Sequence, residues 1–313
     1  MVFRQLAQDK RTAQPAGRSL LLLLIYFFIG LFVGQFLAVL LCMALFGTGF
    51  EETTQLAGSL SHPYARPILY ILQFFSAVGG FLAGPLVYVY HYESERLTTL
   101  INKRGWAIIP LLLLLLSTLA FMMANSLLIE WNANLVLPET FKTFESWAQQ
   151  KEAYLQRLTL YLTTFPSALH FVAALLIIAL LPALGEELFF RGLMQPLLQR
   201  TLGNAHVAIW GTALIFSLFH FQFYGLLPRL FLGALFGYLY YWSGNLLMPI
   251  MAHFINNGLS LLLRYLYQLE LTELDTTQTV SLSGTSILLF LLVGIGASLA
   301  YRYYFVIRRG VVE

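Results

Sequence analysis

Runs of about 20 apolar residues recur along the whole chain, and this repetition constrains the fold more than any other feature. A helix of about 20 predominantly apolar residues crosses a bilayer core. By that measure about eight spans are expected, near 19–46, 67–91, 107–129, 158–183, 206–223, 226–243, 246–266 and 285–306. The expected fold class is therefore all-α, a polytopic membrane helix bundle of about eight transmembrane helices. Composition agrees: 58% of the 313 residues are hydrophobic and 11% charged, about half the charge of a soluble domain. The first run, Leu20 to Phe46, is too long for a signal-peptide core of about 7–15 residues and reads as a retained helix. Cys42 is the one cysteine and follows Leu41, so neither a disulfide nor a lipid-modified cysteine is suggested. The formal charge of +3 comes without a basic block, and nucleic acid is not an expected partner.

Orientation follows from the lysines and arginines in flanks and short loops. With the N-terminus inside, Arg4, Lys10, Arg11, Arg18, Arg96, Lys103, Arg104, Arg191, Arg200, Arg302, Arg308 and Arg309 fall on the cytoplasmic side. Arg66, Lys142, Lys151, Arg157, Arg229 and Arg264 fall outside, half as many. An even number of spans then returns the C-terminus to the cytoplasm. The fourth helix is expected to continue past its apolar part to Gly203 and Asn204, with a kink at Pro196. Residues 130–157 are the longest polar connection and are expected to form a short outer surface helix. Tyr88, Tyr90, Trp106 and Trp131, near span ends, read as interfacial anchors.

Between Glu152 and Glu270 the only acids are Glu186 and Glu187, within "LLIIALLPALGEELFFRGLMQPLLQR". Each charge there costs roughly 2.5–3.5 kcal/mol on insertion scales. Glu187 and Arg191 are four apart on one helix face and can pair. Glu186 points about 100° away and is left without that partner. An unpaired carboxyl in a low-dielectric site suits a general base or acid, while a structural ion pair beside a neutral carboxyl is an equally ordinary arrangement. "FSLFHF" adds Phe216 and His220, and "PIMAHFINNGLS" puts His253 and Asn257 four apart on one face. Rise per residue brings Glu186, His220, His253 and Asn257 to similar depth in the inner half of the bilayer. A single histidine on an apolar helix is more often a hydrogen-bonded core residue than a catalyst, so depth is the argument for grouping them.

Glu-Glu-x-x-x-Arg (Glu186, Glu187, Arg191), Phe-x-x-x-His (Phe216, His220) and His-x-x-x-Asn (His253, Asn257), in that order, resemble the CPBP or Abi family. That family comprises CAAX prenyl endopeptidases of the second type and bacterial relatives associated with bacteriocin processing and immunity. The matching region spans about 175–262, and "LFLGALFGYLYYWSGNLLMPIMAHFINN" resembles the family's glycine-bearing helix. The resemblance implies an intramembrane endopeptidase in a bacterial inner membrane, with a water-containing cavity open toward the cytoplasm. Its partners would be the lipid bilayer and a protein or peptide substrate, for which a lipidated protein is the eukaryotic precedent. Glu186 would activate water, His220 would help hold it, and His253 and Asn257 would stabilise the oxyanion. Glu187, Arg191 and Phe216 would support the site. On this reading residues 151–313 are the catalytic core, and 1–150 are membrane helices and loops of unassigned role.

No cofactor is favoured. Glu186, His220 and His253 would be the ligands of an alternative zinc site, and a metalloendopeptidase keeps that reading open, but the H-E-x-x-H helix of soluble zinc proteases is absent. Two other classes remain: a proton- or ion-coupled transporter using the intramembrane acids, and a non-catalytic scaffold of the same fold. Gly233 and Gly237 read as close helix packing. His170 reads as structural, and His62, His91 and His206 as solvated loop or span-end residues.

Overall fold

A computed structural model describes residues 15–93, 100–101, 107–275 and 282–307, and among the described residues there is no strand. The helices are α1 (Ala16–Phe46), α2 (Phe50–Gly58), α3 (Ala65–Tyr92), α4 (Ile108–Ala133) and α5 (Lys142–Leu162), followed by α6 (Ala168–Leu202), α7 (Ala205–Leu218), α8 (Leu226–Ser243), α9 (Leu247–Gln268) and α10 (Gly284–Ile307). The all-α membrane bundle is thus observed, and the chain is an integral membrane protein. Among the described residues six helices are long and apolar enough to cross a membrane: α1, α3, α4, α6, α8 with its preceding turn, and α10. The runs expected at 206–223 and 246–266 form α7, of 14 residues, and α9, of 22 residues with Asn256, Asn257 and Arg264 along it.

The fourth helix does not begin near 158. Leu158 to Leu162 complete α5, and α6 starts at Ala168. Pro166 lies between them; it lacks a donor and disfavours helix in the residue before it. The polar connection accordingly becomes a 21-residue helix, longer than the short one expected. α6 continues through Pro196 to Leu202 and ends at Gly203, whose φ of 69° is the left-handed cap conformation that glycine favours.

Loops sort onto two faces, as alternating crossings require. On one, Arg66 donates to the Thr164 carbonyl, Gln268 Nε2 donates to the Thr163 carbonyl at 2.8 Å, and Gln222 Nε2 donates to Glu152 at 3.0 Å. On the other, Arg200 pairs with Glu93 at 3.4 Å and the Leu246 N–H donates to the Leu100 carbonyl at 2.8 Å. Arg18 and Arg302 stand at helix ends on this second face, where Tyr26 meets Tyr92 and Tyr301 meets Trp242. Arg4, Lys10, Arg11, Arg96, Lys103, Arg104, Arg308 and Arg309 lie outside the described residues. Arg191, counted above among the flank cations, is instead fully buried in the bundle. Tyr88 is likewise no interfacial anchor: it is buried, its hydroxyl donating to Glu93 at 3.1 Å. Tyr90 and Trp131 are exposed, and Trp106 lies outside the described residues.

Lipid tails are as apolar as leucine, so helices in a bilayer associate by close packing rather than by hydrophobic burial. α1 and α3 cross on glycines: a Cβ on Gly30 would overlap the Gly79 carbonyl oxygen, and one on Gly79 would overlap that of Gly30. Across Ala77–Ala83 the bonding of α3 widens to a π-helix. Next to this crossing, a Cβ on Gly185 would lie 2.8 Å from Phe81 Cβ, so α3 also seats α6 directly before Glu186. Gly79→Ala should destabilise the folded protein by about 1–3 kcal/mol, since backbone must shift to admit the methyl. Gly17→Ala, where a Cβ meets nothing within 4 Å, is the control. Equal stability of the two variants in a detergent-unfolding titration would contradict the crossing.

Candidate active site

α6 carries the acids on a short α-helical stretch, Leu181–Glu187, between two π-helical stretches, Leu175–Leu180 and Leu188–Met194. Such widened turns shift the helical phase of the residues after them and recur at functional sites. Arg191 lies in the second. Its Nη1 donates to Glu187 Oε1 at 2.8 Å, and both side chains are 0% exposed. Nη2 donates to the Gly233 carbonyl at 2.9 Å. The guanidinium lies over Phe216 at 4.6 Å, Phe236 at 5.5 Å and Phe190 at 5.9 Å. A buried cation in a membrane needs this combination of carboxylate, carbonyl and ring faces.

One turn on, Gln195 Nε2 donates to the Gly237 carbonyl at 3.2 Å. Two side chains four apart on α6 thus reach two carbonyls four apart on α8. A Cβ on Gly233 would lie 3.2 Å from Arg191 Nη2, and one on Gly237 would lie 2.9 Å from Gln195 Oε1. The glycine pair therefore serves close helix packing, and that packing lets polar side chains reach the backbone.

Glu187 Oε1 also accepts from His253 Nδ1 at 2.8 Å. A carboxylate only accepts, so the Nδ1 hydrogen is assigned to His253. The imidazole stacks on Phe236 at 5.2 Å and meets the edge of Phe216 at 6.1 Å. Its Nε2 is an acceptor when the ring is neutral and a donor when the ring is charged. One turn along α9, Asn257 Oδ1 accepts from Asn256 at 2.9 Å, and Nδ2 stands 3.5 Å from the Ile178 carbonyl in the first widened stretch of α6.

His220 does not lie within a helix. α7 ends at Leu218 and His220 follows in the turn, with Phe221 in the left-handed region at φ 52. His220 Nδ1 donates to the Phe216 carbonyl at 2.9 Å, which leaves Nε2 as the acceptor of the neutral ring, and the ring lies 5.0 Å from Phe216. A 14-residue helix rises about 21 Å, short of a hydrocarbon core of about 30 Å. The turn's backbone is accordingly satisfied by protein. Ser217 donates to the Leu226 carbonyl at 2.6 Å, Asn125 to that of Pro228 at 3.0 Å, and Asn132 accepts from the Leu227 N–H at 3.2 Å.

Glu187, Arg191, His253 and Phe216 therefore form one contact network, which His220 joins through Phe216. Glu186 stands apart from it. Half-buried, it keeps a buried Oε2 that makes no hydrogen bond to protein, while its charge acts on those of His253, Arg191 and Arg229. Among the described residues no group of three or more His, Cys, Asp or Glu side chains is placed to hold a metal ion. Glu186, His220 and His253 do not form such a group. His170 bonds Ser167 at 2.9 Å and His206 bonds Tyr238 at 2.9 Å, both away from the network. Sequence reasoning missed Gln195, whose signal was the continued four-residue spacing 187, 191, 195. It also missed Gln222 and Arg229, the polar residues after His220 in "FHFQFYGLLPRLF".

Arg191→Ala should cost about 3–5 kcal/mol, because it strands Glu187 as an uncompensated buried charge. The measurement is the yield of monodisperse protein and its unfolding midpoint in detergent. A variant as stable as the wild type would show that the pair is not structural.

Residues 168–259, from α6 to the middle of α9, match the family model described as "Type II CAAX prenyl endopeptidase Rce1-like". A relative, "Uncharacterized protein YpbD" of Bacillus subtilis (strain 168), is 33% identical over 85 residues, which cover 26% of this chain and 40% of that one. The chain thus spans less than half the length of the relative it matches. No solved structure matches the chain. The matched segment contains every one of the residues the three motifs single out, and over residues 168–259 the chain is similar to the Rce1-like family, consistent with a CPBP resemblance.

Proposed function

We propose that the protein is an intramembrane endopeptidase that hydrolyses a peptide bond of a membrane-associated protein or peptide by glutamate-activated water. The observation carrying this reading is the division between adjacent acids. Glu187 Oε1 is committed to Arg191 and His253 at 2.8 Å each, whereas Glu186 has no such bond among the described residues; a buried Oε2 without a protein partner is common to both acids. The Rce1-like match over 168–259 supports the reaction class.

In this mechanism Glu186 takes a proton from water as the oxygen attacks the scissile carbonyl. His220 Nε2 accepts the water's other hydrogen bond and orients it. Charge developing on the carbonyl oxygen is met by Asn257 Nδ2, which is held only weakly by Ile178, and by His253 Nε2–H in the charged form of the ring, which Glu187 Oε1 orients through Nδ1. The proton held by Glu186 then passes to the leaving amine, so the carboxylate is regenerated. The sequence of steps uses side chains and water alone.

The cavity is assigned to the face bearing Arg18, Arg200 and Arg302, cytoplasmic by the positive-inside rule, in a bacterial inner membrane. Support comes from α5 and the 219–225 turn, which cover the opposite side of the site through the Gln222–Glu152 bond. A lipidated substrate is compatible with entry from the bilayer. The test compares protein termini in cells carrying the wild type with those in cells carrying Glu186→Ala. A new terminus on the cytoplasmic flank of a membrane protein, present only with the carboxylate, is expected. Identical sets of termini would contradict the proposal.

A further inference from the structure

α5 lies outside the Rce1-like segment of 168–259 yet reaches the turn that carries His220. Gln222, two residues after His220, donates through Nε2 to Glu152 Oε1 at 3.0 Å, and its Oε1 accepts from Arg229 Nη2. Glu152, Gln222 and Arg229 therefore form a continuous relay from a surface-facing helix to the first turn of α8. Phe144 of α5 packs edge-on against Phe223 at 5.4 Å, next to the same turn. Gly225 completes the fit: a Cβ there would overlap the Arg229 guanidinium, so the turn is shaped around that side chain. Arg229 carries a charge that acts on both Glu152 and Glu186, so the far end of the relay lies within electrostatic range of the acid proposed to activate water.

The turn needs such support. Phe221 is held at φ 52, a conformation that costs a non-glycine residue energy and persists only where surroundings impose it. Asn125, Asn132 and Ser217 hold the backbone of residues 223–228. The side chain of Gln222, between His220 and that clamped stretch, is held by the relay.

We infer that Glu152 is a positioning residue of the active site: through Gln222 and Arg229 it fixes the turn that presents His220, which makes α5 a working part of the site. The catalytic half of this statement rests on the endopeptidase reading; the structural half does not, and the experiment separates them. Full-length protein in lipid nanodiscs is treated with diethyl pyrocarbonate, which modifies an accessible imidazole, and the rates at His220 and His253 are followed by mass spectrometry. Glu152→Ala should raise the His220 rate about fivefold relative to His253, the loss expected when one hydrogen bond restrains local opening. Glu152→Gln keeps an acceptor for Gln222 Nε2 and should restore most of the protection. Gln222→Met breaks the relay from its other side while filling the space, and should match Glu152→Ala. If Glu152→Ala raises both histidines together by unfolding, Gln222→Met decides the relay in its place. An unchanged His220-to-His253 ratio in the folded variants would overturn the inference. In the cleavage assay Glu152→Ala should lower kcat by a similar factor with KM unchanged, and Glu152→Gln should recover it. A change in KM alone would overturn the positioning role. A wild type that cleaves nothing would count against the endopeptidase reading, and the labelling ratio would still decide the relay.

Discussion

The buried guanidinium of Arg191 is the constraint on which the rest of the site depends. An arginine in the interior of a membrane bundle is tolerated where its charge is met by protein. Here α6 supplies Glu187, α8 supplies the Gly233 carbonyl, and Phe190, Phe216 and Phe236 supply ring faces. Three helices thus acquire a fixed register from one side chain. α9 joins because Glu187 Oε1 also accepts from His253. The same arrangement explains why Glu186 is available: its neighbour already balances the arginine, so nothing structural claims the second carboxylate.

A second physical theme is how the bundle admits polar groups at depth. Irregular backbone inside a bilayer is tolerated only where protein or water satisfies it. α7 is short for a span, and the turn after it is held by side chains from α4, α5 and α7. The widened stretches on either side of Leu181–Glu187 are a further departure from regular helix at this depth. There a carbonyl such as that of Ile178 lies near Asn257 Nδ2.

The parts legible in the sequence were those encoded by local spacing. Glu187 and Arg191 could be paired because they are four apart on one helix, and Gly233 with Gly237 could be read as a packing face for the same reason. The apolar runs located the helices, although Pro166 moved the start of α6 and the true end of α7 left His220 in a turn. Contacts between distant residues were not legible. His253 binds Glu187 across 66 positions and Gln222 binds Glu152 across 70. No periodicity carries that information, because it depends on which helix faces pack together. The depth argument grouped Glu186, His220, His253 and Asn257. In the structure only His253 of these four bonds Glu187, and of the other three Glu186 meets His253 alone, through charge.

The central claim is that two adjacent glutamates divide the work, one holding the bundle and the other acting on water. Its most direct test measures turnover and unfolding midpoint side by side for Glu186→Gln and Glu187→Gln. Glu186→Gln should keep the wild-type midpoint while turnover falls by about 10²–10⁴-fold, the usual contribution of a general base. Glu187→Gln should lower the midpoint by leaving Arg191 without its counter-charge. Turnover above roughly a tenth of wild type in Glu186→Gln, or an unshifted midpoint in Glu187→Gln, would contradict it.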